Sequence, residues 1–359
     1  MAELIELLKF MIDKGASDLH ISTGTYPRVR KAGKLLPIEG YRLLTPEDTK
    51  ELCYSFMNDL QIRKLETTNE IDVSFGIKGL SRFRANIFMQ RGAVAGTFRE
   101  IPFVIKGFKE LGIPDAVEDI LKKTQGLILV TGPTGSGKST TLASMIEKLN
   151  CEREAHIITI EDPIEFLHSH GKCLINQREL DSDTSSFSSA LKYVLRQDPD
   201  IVMVSALRDL PAIEAALTIT ETGHLTLASV HTNSAIQTIT RIIEMFPYQN
   251  HDYARNLLAE CLEGIISQRL IKRKDGNGRI LAVEVLMPTP AIRTLIKEGR
   301  VNQIYPIMQT ARSGMKTMNQ SLIALYKAGL ITYEDAINNS PVPEEIVAKL
   351  PKEKVAIEL

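Results

Sequence analysis

The sequence has 359 residues, of which 43% are hydrophobic and 24% are charged, and its formal net charge is −1. This composition is typical of a soluble globular protein that is long enough for two separate cores. The balanced charge and the lack of a long basic block predict no nucleic-acid partner. The N-terminus lacks a signal-peptide pattern and no apolar run approaches the length of a membrane span, so we expect no direct membrane insertion.

The cysteines exclude two further classes of protein. The sequence contains four of them, and no two form a C-x-x-C pair. This spacing argues against a zinc site and against a disulfide framework, and it indicates a reducing cytoplasm. The four are Cys53, Cys151, Cys173 and Cys261.

In chain order, the first hundred residues predict a small α+β domain. Apolar residues at helical spacing over 4–12 predict a short helix, and Thr45-Pro46 predicts the start of a second one. Short strands are predicted at 18–22, 27–31 and 34–37, and an antiparallel meander at 71–77, 81–89 and 93–100. We therefore expect a domain at 1–98 and a linker with several Pro and Gly residues at 99–114.

From residue 115 onward, strands and helices alternate. This order predicts a mostly parallel sheet covered by helices, with a ligand site at the carboxyl ends of its strands. From Tyr253 on we expect a mainly helical region with one hairpin near Asp275-Gly276-Asn277-Gly278. The predicted strands are 126–131, 155–161, 172–178, 201–205 and 225–230, and the predicted helices are 139–149, 185–196, 209–221 and 234–245.

The stretch 126–140 carries the most specific motif. A buried strand is followed by a turn that matches G-x-x-x-x-G-K-[ST] at every fixed position and then by a helix. Its glycines let backbone N–H groups face phosphate oxygens, Lys138 can reach the β- and γ-phosphates, and Ser139 can ligate Mg²⁺. The motif predicts an ATP and Mg²⁺ site formed by Gly132, Pro133, Thr134, Gly135, Ser136, Gly137, Lys138, Ser139 and Thr140.

Hydrolysis by a phosphate loop also needs an acidic group at the end of a nearby strand. The strand predicted at 201–205 is followed by no acid before Asp209. The catalytic candidates, which lie at or just after the end of the strand predicted at 155–161, are Glu161, Asp162 and Glu165. We expect Glu161 to join Ser139 at the metal. The alternative is a solvated turn that ends the strand.

Two histidines flank the strand predicted at 225–230. His224 precedes this strand and His231 follows it. Either imidazole could hydrogen-bond the γ-phosphate of a bound nucleotide, which makes both candidates for the catalytic site. The alternative, for each of them, is a structural histidine with satisfied hydrogen bonds.

The predicted meander is dense in arginine. The planar guanidinium donates hydrogen bonds in pairs and suits phosphoryl oxygens, so across a subunit boundary such residues could complete a neighbour's site. The alternative is a solvated basic face. The four arginines are Arg82, Arg84, Arg91 and Arg99.

Several stretches together carry a family resemblance. They are GPTGSGKS at 132–139, IEDPIE at 160–165, GHL with SVHTNS at 223–234, AIRTLIKEG at 291–299, ASDLH at 16–20 and RFRAN at 82–86. In combination they resemble the type II/IV secretion superfamily of ATPases, and within it the branch of pilus-retraction motors. The stretch at 291–299 is the specific one, because assembly ATPases of the superfamily do not usually carry it. The resemblance implies that this stretch couples ATP turnover to retraction.

The resemblance implies an architecture and a set of partners. It implies an α/β chain with a PAS-like N-terminal α+β domain, then a RecA-like P-loop ATPase domain at 115–359 with a helical C-terminal region. Six such chains would form a ring, with ATP between the domains. The implied partners are an inner-membrane platform protein of a type IV pilus machine and a paralogous ATPase. The ring would act in twitching motility from the cytoplasmic face of the membrane.

The resemblance also assigns roles to single residues. Residues 161–165 correspond to an acidic box, and His224 and His231 to a histidine box. Arg84 and Arg99 correspond to the arginines that close on phosphate.

One short run departs from the family pattern. Where the family has Gly-Glu-Met-Arg-Asp, this chain has Ser205-Ala206-Leu207-Arg208-Asp209. The glutamate that would orient water or Mg²⁺ is therefore Ala206. Removal of a group that acts mainly in the transition state slows a reaction more than it weakens substrate binding.

Three functional hypotheses follow. The first is a motor that retains hydrolysis through Glu161 or Glu165. The second is a nucleotide-binding structural or regulatory subunit that hydrolyses little ATP. The third is a motor for DNA uptake or protein secretion.

Overall fold

The computed structural model describes residues 2–31, 33–101, 104–311 and 314–350. Contacts divide the chain into an N-terminal unit, Met1–Val104 with Glu165–Leu167, and a C-terminal unit, Ile105–Ile164 with His168–Leu359. The predicted domain and linker boundaries remain predictions, and two linker residues, Pro102 and Phe103, lie outside the described residues.

The N-terminal unit is an antiparallel sheet with helices. Its strands are β1 (Asp18–Ile21), β2 (Arg28–Lys31), β3 (Lys34–Pro37), β4 (Glu70–Ile77), β5 (Ser81–Gln90) and β6 (Ala93–Ile101), and its helices are α1 (Ala2–Asp13), α2 (Pro46–Tyr54) and α3 (Asp59–Thr68). The strand order is β3-β2-β1-β6-β5-β4. Burial alternates along β5, where Phe83 and Ile87 face the core, because successive side chains point to opposite faces. The core is closed by α1, which buries Leu7 and Leu8.

The predicted strands of this unit are confirmed to within one residue at either end, whereas one helix escaped prediction. The sequence predicts no element at α3. Its signal was present, because the Asn58 side chain accepts a hydrogen bond from the Gln61 backbone N–H, and the Gln61 side chain accepts one from the Asn58 backbone N–H. Another difference is that β6 continues to Ile101, which lies inside the predicted linker.

The C-terminal unit contains a seven-stranded sheet. Its strands are β7 (Gly126–Thr131), β8 (His156–Glu161), β9 (Leu174–Glu179), β10 (Ile201–Val204), β11 (Leu225–Val230), β12 (Leu262–Lys272) and β13 (Arg279–Leu286). Their order is β13-β12-β7-β11-β10-β8-β9. Every neighbouring pair is parallel except β12 and β13, which confirms the prediction of a mostly parallel sheet.

Helices cover both faces of this sheet. They are α4 (Phe108–Leu111), α5 (Asp115–Leu121), α6 (Lys138–Glu152), α7 (Phe187–Val194), α8 (Leu210–Glu221), α9 (Ala235–Glu244), α10 (His251–Cys261), α11 (Pro290–Lys297), α12 (Ile304–Thr310), α13 (Met318–Lys327), α14 (Tyr333–Asn338) and α15 (Pro343–Lys349). One core cluster joins the sheet to α7 through α10, and another joins it to α5 and α6. The central strands β7 and β11 are consequently buried at every position, as expected of parallel strands covered on both sides.

The region after Tyr253 requires a correction. The sequence predicts a mainly helical tail with a small hairpin, but the hairpin is formed by β12 and β13, which are long strands of the central sheet. Strand β12 runs parallel to β7. Buried polar residues such as Ser267 and Gln268 interrupt the apolar pattern of β12 and hide it from a periodicity analysis.

Candidate nucleotide site

The phosphate loop connects β7 to α6 and depends on glycine at two positions. Gly132 has φ +148°, and a Cβ atom there would lie 2.4 Å from the backbone oxygen of Gln268. Gly137 has φ +88° and is the residue that precedes α6, so no side chain caps the first turn of the helix. The N–H groups of that turn therefore remain available to an anion, in the region where the helix dipole favours negative charge.

Lys138 is held over the loop by backbone oxygens. Its Nζ donates to the carbonyl oxygens of Gly132 at 2.9 Å and Pro133 at 3.1 Å, and the side chain is largely buried. These contacts place an ammonium group beside the loop carbonyls, within reach of any phosphate bound in the loop. Ser139 follows as the second residue of α6 and is half-buried.

The predicted carboxylates have different environments. Glu161 is buried, and its Oε1 accepts hydrogen bonds from the Thr159 hydroxyl at 2.6 Å and from the Gln177 amide at 3.0 Å. Asp162 is half-buried and pairs with Arg208, at 2.8 Å between Nη1 of Arg208 and Oδ2 of Asp162. Glu161 is the last residue of β8 and Asp162 follows it, both in the C-terminal unit, whereas Glu165 is exposed and groups with the N-terminal unit.

The end of β10 carries Ser205 and the buried Ala206. The Ser205 hydroxyl accepts a hydrogen bond from the backbone N–H of Asp162 at 3.2 Å. The Ser229 hydroxyl donates to the Ser205 carbonyl oxygen, which ties the ends of β11 and β10 together. Among the described residues no carboxylate side chain follows β10 until Asp209, which caps α8.

The structure brings one histidine to the loop and not the other. His231 follows β11 at the edge where the loop lies, and its Nδ1 is 3.4 Å from Lys138 Nζ. Partial desolvation and the cations Lys138 and Arg208 lower the pKa of His231. The Lys138 ammonium can only donate, so Nδ1 of the neutral ring is the acceptor.

His224 lies at the other end of β11, away from the loop of its own chain, and its predicted role remains a prediction. It precedes β11, its carbonyl oxygen accepts from the N–H of Gly126 at the start of β7, and its Nδ1 contacts the Ile219 carbonyl oxygen at 3.1 Å. The length of a whole strand separates it from the loop of its own chain. Two residues that precede and follow one strand are necessarily at opposite ends of it.

The candidate arginines lie in the N-terminal unit. Arg84 and Arg99 are opposite each other on β5 and β6 and line a cavity of 270 Å³ with Asp18 and Asp72. Arg99 Nε donates to Asp18 Oδ1 at 2.7 Å, and Arg84 lies 3.5 Å from Asp72 Oδ1. Burial raises the pKa of Asp18, but hydrogen bonds from Arg99 and Ser17 outweigh this effect and lower it overall.

Several residues that stabilise the site were not predicted from the sequence. Gln177 and Arg208 contact the carboxylates described above, and Gln268 donates to the Ser136 carbonyl oxygen at 2.8 Å. The Thr131 and Ser267 hydroxyls lie 2.7 Å apart where the loop leaves β7. The only available signal was a pair of polar residues, Ser267 and Gln268, directly after an apolar run.

Comparison with known families identifies the chain. A family model described as type II/IV secretion system protein matches residues 106–338, which is more than half of the sequence. The chain belongs to the type II/IV secretion system protein family. The resemblance predicted from the motifs is therefore confirmed.

Within the type II/IV secretion family, two similar proteins come from Pseudomonas aeruginosa. The type IV pilus retractation ATPase PilT is 46% identical over 346 residues, which cover 95% of this chain and 99% of PilT. The type IV pilus ATPase PilU is 40% identical over 336 residues, which cover 93% of this chain and 88% of PilU.

Two solved structures have folds similar to that of this chain. A crystal structure of the pilus retraction motor PilT with bound ADP has a TM-score of 0.90 and 50% identity, and the match covers 95% of this chain and 98% of the other. The ATPase DotB of Legionella pneumophila has a TM-score of 0.83 and 25% identity over 93% and 94% of the two chains. The predicted fold class, a PAS-like α+β domain followed by a RecA-like P-loop domain, is confirmed.

None of the helices in the described ranges has the length and apolar character needed to cross a membrane.

Proposed function

We propose that this chain is a hexameric ATP-driven motor of a type IV pilus machine, which couples ATP hydrolysis to pilus retraction. The observation that carries the proposal is the 46% identity to PilT across nearly the whole of both chains. A full-length match supports a shared activity more strongly than a match of the phosphate-loop region alone, since many unrelated proteins share that loop. Similarity to PilU supports a role in pili over one in DNA uptake or secretion.

In the proposed mechanism, the loop N–H groups and Lys138 bind the phosphates of ATP. The uncapped first turn of α6 and the space at Gly132 fit such a ligand, because any side chain at Gly132 would fill the turn. Mg²⁺ would be held by the Ser139 hydroxyl, by phosphate oxygens and by Glu161, and it would neutralise charge on the phosphates. Among the described residues no cluster of three or more His, Cys, Asp and Glu side chains forms a metal site by itself, so phosphate oxygens and water would supply the remaining ligands.

We assign the remaining polar residues of the site as follows. Glu161 orients the attacking water, with Asp162 and Glu165 as further members of the acidic box. His231 donates a hydrogen bond to the γ-phosphate through Nε2, because its Nδ1 faces Lys138. Arg84 and Arg99 contact phosphate when subunits of the ring close.

For the link to retraction we propose α11, which contains most of the AIRTLIKEG stretch. Ile292 and Ile296 are fully buried and belong to the core, so they cannot contact a partner. Thr294, Leu295 and Glu298 instead line a surface cavity of 720 Å³. This surface is the proposed route by which turnover reaches the inner-membrane platform protein at the cytoplasmic face.

One observation favours a second candidate, a subunit that binds ATP but hydrolyses little of it. Ala206 is buried at the end of β10, where the family pattern has glutamate. A paralogous ATPase in the same machine would then supply most of the turnover. The two candidates share nucleotide binding and differ in rate alone.

Phosphate release by the purified chain tests the motor. We expect wild-type turnover to exceed that of Lys138→Ala by at least about 100-fold, since removal of one preorganised donor to developing charge has such an effect. Lys148→Ala is the matched control, because Lys148 lies on the same helix but pairs with Glu118 and Glu152. The particle mass in the presence of ATP measures whether six chains assemble into a ring. Wild-type turnover equal to that of Lys138→Ala, in an assembled hexamer, would establish the second candidate instead.

A further inference from the structure

Strand β12 continues beside the phosphate loop after β7 has ended. The register pairs Ser267 with Thr131, the last residue of β7, so Gln268 is level with the first loop residue, Gly132. The close approach of the Gln268 backbone oxygen to Gly132 confirms this placement. The loop therefore packs on β12 on one side, and any side chain of β12 that points toward it can bind loop backbone.

Gln268 is the residue of β12 that does so. It is 1% exposed, and its Nε2 donates to the carbonyl oxygen of Ser136 at 2.8 Å. The orientation of the carboxamide is determined, because a flipped amide would place Oε1 against another carbonyl oxygen. In a planar trans peptide the C=O and the next N–H point in opposite directions. The bond to Ser136 consequently turns the N–H of Gly137 away from β12.

This arrangement leaves two buried polar atoms without hydrogen-bond partners in the described part of the chain. They are Oε1 of Gln268 and Oγ of Ser136. A buried acceptor without a donor is destabilising, and native structures retain few of them. An apolar residue at 268 would avoid this cost, so the amide donor at this position serves something other than stability.

We propose that Gln268 is a positioning residue for nucleotide binding: it fixes the Ser136–Gly137 peptide so that the Gly137 N–H faces the phosphates. The inference rests on the proposed function only in requiring that the loop binds nucleotide. Gln268 itself touches no phosphate, and it acts by orienting a group that does. The mechanism needs a donor at one place, which neither a shorter amide nor a carboxylate provides.

The test is ADP affinity of the full-length chain, measured by calorimetry beside the melting temperature without ligand. For Gln268→Met we expect the Kd for ADP to rise about tenfold, the size of effect produced by losing one well-placed hydrogen bond. A purely structural role would change the melting temperature and leave the Kd of the folded protein unchanged. Gln309→Met is the matched control, since Gln309 on α12 also donates one amide hydrogen bond, to Glu345 at 2.7 Å, far along the chain from the loop.

Two further variants keep the test decisive if Gln268→Met fails to fold. Gln268→Asn keeps the amide but is one methylene shorter, and Gln268→Glu keeps the size but replaces the donor by an oxygen. Both are expected to lose ADP affinity to the same extent or more. If wild type binds ADP and the folded variants bind it within twofold as tightly, the positioning role is wrong. If wild type does not bind ADP, the proposed function fails first and this inference fails with it.

Discussion

Strands β8 and β10 are similarly buried neighbours but carry different side chains at their carboxyl ends. They are direct neighbours in the sheet, Ile160 is opposite Val204, and both are almost entirely buried. The polar groups at the carboxyl ends of these two strands therefore lie side by side. At the end of β8 are the carboxylates of Glu161 and Asp162, whereas the end of β10 carries a hydroxyl and a methyl group.

The sheet order makes this difference important for function. Strand β10 is the second strand from β7, and β8 is the third. With strands about 4.8 Å apart, an acid on β10 would start one strand spacing closer to the phosphate loop than Glu161 does. The chain thus carries its acidic groups on the more distant strand. The strands therefore determine where a side chain can act, and the residues at and just after the end of each strand determine what it can do.

The largest expected effect comes from Glu161→Gln. If the end of β8 supplies the catalytic acid, phosphate release should fall by about 10² to 10³-fold with ADP affinity nearly unchanged, since the amide keeps the shape but loses the charge. Glu179→Gln is the control, because Glu179 is a buried carboxylate opposite Glu161 on β9, one strand further from the loop. Unchanged turnover in Glu161→Gln would mean that the acid lies elsewhere.

A smaller effect, of opposite sign, is expected from Ala206→Glu. A carboxylate on the nearer strand should raise phosphate release by about tenfold, which is less than the roughly 10²- to 10⁴-fold that a fully positioned general base contributes. The variant should also melt at a lower temperature, because position 206 is only 5% exposed and a charge there loses hydration. Ala206→Gln, of similar size but neutral, separates charge from bulk. A rate equal to that of Ala206→Gln would show that the missing acid is not what limits turnover.

The smallest expected effect is on the pH dependence of stability, through the protonation of His231. Its pKa is lowered in the folded chain, so between that value and the ordinary histidine pKa of about 6.5 the unfolded chain binds a proton that the folded chain does not. The contribution of His231 to stability is therefore complete at neutral pH and declines as the pH falls below about 6.5. Denaturant unfolding from pH 7.5 to 5 should show a shallower decline for His231→Gln than for wild type.

The quantity to compare is the difference between the stability curves of wild type and His231→Gln, because burial also lowers the pKa values of His20 and His168. Those two histidines contribute equally to both curves. Parallel curves would show that Lys138 and Arg208 do not oppose protonation of His231.

Much of the fold was predictable because its signals are local. The glycine-rich turn after a short apolar run located β7, the loop and the start of α6, and the alternation of strands and helices predicted a mostly parallel sheet. Strand β12 was not predictable in the same way. Its burial depends on β7, more than 130 residues earlier in the sequence, and the polar side chains of Ser267 and Gln268 are buried only because the loop packs against them.

The candidate site shows the same distinction between features with local signals and features that depend on distant segments. The placement of Lys138 and Ser139 at the start of α6 could be predicted, because it depends only on residue type and short spacing after the glycines. Contacts between distant segments could not, among them Gln177 with Glu161 and Arg208 with Asp162. His224 and His231 were equivalent candidates on sequence grounds, and the direction of β11 places them at opposite ends of that strand.

By itself, the sequence determined the phosphate-loop motif, the family and the substitution at Ala206, because each is a property of consecutive residues. Only the tertiary structure decided which strands end beside the loop, which histidine contacts Lys138 and which residue of β12 hydrogen-bonds the loop backbone. The physical reason is that parallel strands align the ends of segments far apart in sequence. Hydrogen bonds between those ends, such as that from Gln268 to Ser136, produce no periodic pattern in the sequence of either segment.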